Sequence, residues 1–331
     1  MNAPAKALPK PGSLGAWMLA IRPKTLSASV MPVVVGSAYA WEFYDHSCRQ
    51  GFLMYIGPPF ALLPRAVAAA IVGVGIQIGT NLVNDVADHL KGADTHERLG
   101  PPRVTNLGLL SQGAVIRGAV VSFGLAATAG IWLLLSLQGS LHISVWLAAV
   151  LGLAALGCGV LYTAGPVSIA YLGLGEIFVF GFFGLFATAG TTFVMTGHWV
   201  HRSVIAGVAL GLLAVGLLEA NNIRDIPTDG PVGKKTLAVR LGDGPARKIY
   251  AGIIAAAIVC AMSLVPWWGA AVLLVCGPVA WLTVRPVLDG ASGRDLIKVL
   301  QRNSLLEVLV GATLAVSSFF ASCAPRGQWI R

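Results

Sequence analysis

A chain of 331 residues that is 56% hydrophobic and only 11% charged, with a mean hydropathy of +0.76, carries too much apolar surface for a water-facing fold; soluble domains average about 25% charged residues. The composition excludes a soluble globular enzyme and points to an all-α, polytopic membrane protein, whose helices satisfy their own backbone polar groups inside the lipid bilayer. The net charge of +9 does not make it a nucleic-acid binder, because the basic residues lie in short loops between apolar runs.

In chain order, residues 1–21 form a basic N-terminal segment in which Ser13 to Ile21 are expected to make a short interfacial helix. The small-residue run SAYA at 37–40 resembles a signal-peptide cleavage site; without cleavage, the run around it is the first membrane span. Nine apolar windows are expected to be transmembrane helices, roughly at 25–41, 64–87, 114–137, 143–162, 171–195, 203–222, 246–265, 267–284 and 304–322. Together they make one membrane-embedded domain over residues 1–331. The run 52–63 is apolar, but Gly57, Pro58, Pro59 and the adjoining Pro64 mark it as a loop or re-entrant piece. Pro266 leaves so little chain between the seventh and eighth windows that they should form a tight hairpin. Gly73, Gly75 and Gly79 in one window, and Gly181, Gly184 and Gly190 in another, allow close helix packing.

The basic residues orient the chain. Of 23 lysines and arginines, all but Arg49, Arg65, Arg202, Arg326 and Arg331 fall on the side of the N-terminus. That side is therefore cytoplasmic, and an odd number of spans puts the C-terminus outside. Cys48, Cys158, Cys260, Cys276 and Cys323 have no CxxC spacing and read as small buried hydrophobes. The six histidines form no HExxH pattern.

Two polar islands interrupt the apolar pattern: NLVNDVADHLKGADTHERLGPPR from Asn81 to Arg103, and NNIRDIPTDGPVGKKTLAVRLG from Asn221 to Gly242. Each follows a long apolar run, and both fall on the cytoplasmic side. Asn81 precedes Asp85 by four residues and Asn221 precedes Asp225 by four. Asn84 with Asp88, and Asp225 with Asp229, are likewise four apart, so each pair shares one helix face. Only 14 acidic residues occur in the chain, and six of them lie here: Asp85, Asp88, Asp94, Glu97, Asp225 and Asp229. Acids at membrane-helix ends are costly unless paired or bound to cations. Carboxylates and Asn amides without Cys or clustered His favour Mg2+, which keeps phosphate oxygens in its shell. Lys91, Arg98, Arg103, Lys234 and Lys235 then have a phosphate to hold. A metal-bound diphosphate at a membrane surface suggests a polyprenyl diphosphate, whose apolar tail belongs in lipid. Tyr162, Tyr171, Phe178 and Phe182 are aromatic candidates for facing the cation-like allylic carbon.

The islands, with RPKTLSASVMPVVVG from Arg22 and YTAGPVSIAYLGLGEIFVFGFFG from Tyr162, resemble the UbiA-type membrane prenyltransferases. Within them the match is to the branch that prenylates 1,4-dihydroxy-2-naphthoate in menaquinone synthesis. The resemblance implies nine helices surrounding a central cavity open sideways to lipid. It implies Mg2+ on Asn84 and Asp88 and on Asp225 and Asp229, with Asp85 beside them in the catalytic set. Lys91, Arg98, Arg103 and Lys234 would bind diphosphate; Arg22, Lys24 and Tyr162 would bind the aromatic acceptor. Asp94, Asn221, Asn222 and the intramembrane Glu176 match further polar positions with roles the resemblance leaves open. The implied reaction is prenyl transfer to the naphthoate with loss of CO2 and diphosphate, at the cytoplasmic face of a bacterial inner membrane. Two departures stand out: Gly92 occupies the position of a third acid, and Val86 and Ala87 stand where many members carry an aromatic residue. The rival acceptor is 4-hydroxybenzoate, and the rival class is a membrane transporter, whose acids usually sit at the bilayer midplane.

Overall fold

The computed structural model describes residues 8–23, 26–49, 62–90, 103–136, 145–161, 173–231 and 233–323, and all regular structure among them is helical. The chain begins with α1 (Leu14–Ile21), α2 (Ser27–Arg49), α3 (Leu62–Leu90), α4 (Gln112–Ser136) and α5 (Val145–Leu161). α6 runs over Gly175–Thr196 and contains a π-helical stretch, Phe180–Phe186. α7 (His201–Asp229), the short α8 (Leu237–Leu241), α9 (Asp243–Met262), α10 (Trp267–Val275), α11 (Gly277–Leu288) and α12 (Arg294–Cys323) complete the order.

Among the described residues, α3, α4, α6, α7, α9 and α12 are long and apolar enough to cross a membrane, and the bent pair α10–α11 makes a seventh. This differs from the nine spans expected. Of α5, 17 residues are described, about 25 Å of helix against a hydrocarbon core of ~30 Å. α2 carries Glu42, Asp45 and Arg49 in its second half, which lowers its hydropathy. The window at 267–284 is two helices meeting at 43°. Pro266 caps the first of them, four residues after α9 ends, as the hairpin expectation required. SAYA sits inside α2, where Tyr39 and Ala40 are buried. The expected loop over 52–63 falls outside the described residues except for Leu62 and Leu63, which begin α3.

α7 is the core helix. Ala206, Ala209, Leu210 and Leu213 have no exposure and pack with Ile254 of α9 and Leu306, Val310 and Leu314 of α12. Large apolar side chains such as Val120, Leu125, Leu153 and Ile177 point outward instead, as lipid-facing surfaces do. Small residues set the closest approaches. On α6, a Cβ at Gly184 would run into the backbone of Gly207 and Gly211 on α7, so only glycine lets these helices meet there. α2 meets α6 at Gly36, whose carbonyl accepts a hydrogen bond from Thr192 Oγ1 at 2.8 Å. Interhelical bonds of this kind contribute on average about 0.6 kcal/mol in membranes.

α1 is the short N-terminal helix expected over Ser13–Ile21. Ser13 Oγ accepts from the Ala16 amide at 3.3 Å, the usual N-cap bond. Its buried face, Ala16 and Ala20, packs with Leu82 and Val86 of α3 and Val115 and Ala119 of α4. The helix stops at Arg22 with φ 58, in the left-handed region, where the Arg22 amide still reaches the Met18 carbonyl. The end of α1 lies beside the C-terminal half of α3, where Asn81 bonds the Ile21 carbonyl.

Candidate active site

The first island begins in the last turns of α3, over 81–90, and the described chain resumes at its last residue, Arg103. Its polar side chains do different jobs. Asn81 is 5% exposed, and its amide donates to the Ile21 carbonyl at 2.9 Å, tying the end of α1 to α3. Gln77, one turn earlier, donates to Asn81 Oδ1 and accepts from Ser29 Oγ of α2. Asp85 is 1% exposed, and each of its oxygens accepts a backbone N–H at 3.0 Å, from Val104 and Thr105. In this arrangement Asp85 anchors the returning chain. The anchored stretch is further held by Val104, Leu109 and Leu110, all buried against α1, α3 and α4. Arg103 is the residue just before Val104, and its guanidinium forms an ion pair with Asp88.

Asn84 lies one turn before Asp88 on the same face. Its Oδ1 is buried with no hydrogen-bond partner among the described residues. An orphaned buried carbonyl oxygen costs about 1–3 kcal/mol unless something else binds it.

The second island is the end of α7 and the turn after it. Arg224 grips its sequence neighbour Asp225 with two bonds of 2.7 Å, Nε to Oδ1 and a terminal nitrogen to Oδ2. Lys234 Nζ bonds Asp229 Oδ2 at 2.8 Å, and the Lys234 amide bonds the Asp229 carbonyl at 3.0 Å. Gly233, at φ 74, makes the reversal that brings Lys234 back. Asn221 turns its amide to the Leu217 carbonyl, within its own helix. Asn222 reaches across to α6 and donates to Glu176 Oε1 at 2.8 Å. Three residues before Glu176, Gly173, at φ 70, packs so close to the Lys235 carbonyl that a Cβ would overlap it. Beyond Glu176 on α6, Phe178 and Phe182 stack at 5.8 Å between ring centroids, and Phe186 continues the row at 5.6 Å.

Lys24, Lys91, Asp94, Arg98, Tyr162 and Tyr171 lie outside the described residues. Among the described residues, no three His, Cys, Asp or Glu side chains gather at one point. The donor set is all oxygen, each described island carboxylate except Asp85 has a basic partner, and Asn84 offers an unused buried oxygen. These residues fit a hard cation with a phosphate ligand: the acids would hold the cation and the bases they release would hold the phosphate.

Sequence reading missed Glu219 on α7 and Glu307 on α12. Both have no exposure, and neither has a hydrogen-bond partner for its carboxylate oxygens among the described residues. The signal was available, since each is a single acid inside an apolar run. It also missed Arg224 as the partner of Asp225, and Gln77.

Fold and site together define an integral membrane protein built of helices, with two helix ends that each pair acids with bases. Residues 30–305 match the UbiA prenyltransferase family, and the chain belongs to it; it is a membrane prenyltransferase, which sets aside the transporter reading. It is 38% identical over 313 residues to the 1,4-dihydroxy-2-naphthoate octaprenyltransferase of Mycobacterium tuberculosis, covering 93% of this chain and 98% of that protein. Its fold matches the apo structure of a UbiA homologue from Aeropyrum pernix K1, with a TM-score of 0.64 at 17% identity over 89% of this chain and 98% of that one. A UbiA homologue from Archaeoglobus fulgidus bound to GPP and Mg2+ matches with a TM-score of 0.60 at 15% identity, over 92% and 99% of the two chains.

Proposed function

We propose that this enzyme transfers a polyprenyl chain from polyprenyl diphosphate to 1,4-dihydroxy-2-naphthoate, releasing CO2 and diphosphate, as a step of menaquinone synthesis. The observation that carries the reading is the pair of helix ends at which Asp88, Asp225 and Asp229 each face a base, with the Asn84 oxygen left over. The octaprenyltransferase name of the M. tuberculosis relative supports the acceptor, and the GPP and Mg2+ of the A. fulgidus homologue support the donor and the metal.

Asn84 and Asp88 would hold one Mg2+, and Asp225 and Asp229 another. Bound there, the ions offset the negative charge that builds on the departing diphosphate. The chain's own residues do the rest. Arg103 and Lys234 leave their carboxylates and turn to the diphosphate oxygens, joined by Lys91 and Arg98. Arg224 keeps Asp225 in one orientation through its two-pronged grip. Asp85 acts at one remove, holding Val104 and Thr105 so that Arg103 stands beside Asp88. Arg22, at the left-handed turn after α1, and Lys24 meet the acceptor carboxylate. The excess of Lys and Arg on the island side puts this chemistry at the cytoplasmic face of a bacterial inner membrane. Both islands belong to one membrane-embedded domain.

Purified protein given Mg2+, a polyprenyl diphosphate and 1,4-dihydroxy-2-naphthoate labelled in its carboxyl carbon is expected to release labelled CO2 in step with prenylated product. Turnover of 4-hydroxybenzoate alone, with no CO2 release, would overturn the acceptor.

A further inference from the structure

Six residues before Asp225 on α7, and so about 9 Å back along the helix axis, lies Glu219. It is fully buried and its oxygens have no hydrogen-bond donor among the described residues. Glu176 of α6 and Asn222 lie beside it, in a geometry short of a full hydrogen bond. The Asn222 amide is committed to Glu176 Oε1 at 2.8 Å. Two acids and one amide are thus brought together from two helices, with no Lys or Arg in the hydrogen-bonded group. A charge-bearing group in such surroundings is costly, and membrane proteins keep one where a ligand or proton uses it. The surplus here is of hydrogen-bond acceptors. The missing counterpart is a ligand with O–H donors.

We infer that Glu219, with Glu176 held in place by Asn222, receives the hydroxyl groups of the aromatic acceptor and so selects hydroxylated rings. The inference rests on the prenyl-transfer reading above. The spacing suits it. The allylic carbon is bonded to the diphosphate, and the reacting ring carbon must come within about 3–3.5 Å of it. The ring then occupies the next layer away from the metal carboxylates, and its far hydroxyl reaches the level of Glu219. The Phe178–Phe182–Phe186 row starts two residues after Glu176, so apolar ring surface and carboxylate acceptors are both at hand on α6.

The chemistry balances without a net proton. As the C–O bond to diphosphate breaks, diphosphate leaves with the electron pair. The ring carbon that bears the carboxylate forms the new C–C bond. The hydroxyl proton shifts toward Glu219, which enriches the ring in electrons. The C–CO2 bond then breaks, its electron pair restores the aromatic ring, CO2 departs, and the proton returns to oxygen. A buried acceptor tuned to an O–H also rejects a ring that lacks it, because an unpaired polar group would be left behind.

The test uses full-length protein in detergent or nanodiscs, with Glu219→Gln and Glu176→Gln compared against the unaltered enzyme. Two rates are measured: kcat/KM for 1,4-dihydroxy-2-naphthoate, and the slow release of diphosphate from polyprenyl diphosphate without any acceptor. Glu219→Gln is expected to lower the first at least about a hundredfold and to leave the second within threefold. Competition by 2-naphthoate, which has no hydroxyls, is expected to be weak in the unaltered enzyme and to change less than threefold in the variant. Full acceptor turnover in a folded Glu219→Gln variant overturns the inference, as does parallel loss of both rates. Should Glu219→Gln fail to fold, Glu176→Gln decides by the same two rates, with Glu176→Asp expected to restore part of the acceptor rate. If the unaltered enzyme prenylates no hydroxyaromatic acid at all, the proposed function itself has failed.

Discussion

The two islands present the same chemistry and build it in opposite ways. In the second, the basic partner of each aspartate is local: Arg224 adjoins Asp225, and Lys234 is five residues from Asp229. A helix end and one tight turn suffice. In the first, Arg103 comes from fifteen residues beyond Asp88 and is delivered by a separate anchor, Asp85, bonded to the two backbone amides that follow it. The comparison teaches that an NDxxD motif need not use its two acids alike. The second acid pairs with Arg103, and the first fastens the chain that brings Arg103 to it.

The largest effect should come from the acids that both islands hold toward the substrate. Asp88→Asn and Asp225→Asn should each cut turnover by at least about a hundredfold, since stabilising leaving-group charge is worth several kcal/mol. If the islands share one diphosphate, the double variant should lose little more than either single one. Steady-state rates on folded protein decide this, and losses that multiply cleanly would separate the islands into independent sites.

Asp85→Asn sharpens the contrast within the first island. It replaces one acceptor oxygen with an amide that faces a backbone N–H, a loss on the order of 1–3 kcal/mol. Expected are a lowered melting temperature and a turnover loss of about thirtyfold, smaller than for Asp88→Asn. A melting temperature equal to that of the unaltered protein would mean that Asp85 is no anchor.

Arg224→Lys probes the local design of the second island. A lysine keeps the charge and loses the fork, so Asp225 is held less firmly. Turnover should fall about fivefold with little change in melting temperature, in keeping with one lost hydrogen bond. The smallest effect belongs to Lys298→Ala. Its pair with Asp295 is exposed on both sides, and such pairs contribute at most about 1 kcal/mol. Activity within twofold of the unaltered enzyme is expected; a larger loss would mean that general loss of positive charge confounds the other variants.

The sequence by itself determined what depends on short range. Apolar windows placed the helices, because a helix in lipid needs only its own residues to satisfy its backbone. The four-residue spacings put Asn84 with Asp88 and Asp225 with Asp229 on shared faces, because 3.6 residues per turn is a local rule. Pro266 marked the turn before α10 for the same reason. Tertiary structure decided everything that depends on which faces meet. Among the described residues six helices, or seven with the bent pair α10–α11, are long and apolar enough to span, where the hydropathy windows number nine. The 43° bend between α10 and α11 carries no break in hydropathy. That Asp85 caps Val104 and Thr105, that Asn222 reaches Glu176 across 46 residues, and that Glu219 is buried beside them follow from how α3, α6 and α7 pack. Hydropathy marks a lone acid in an apolar run, but its partner is chosen by close packing of glycines such as Gly184 against Gly211, which brings distant polar groups within hydrogen-bond range.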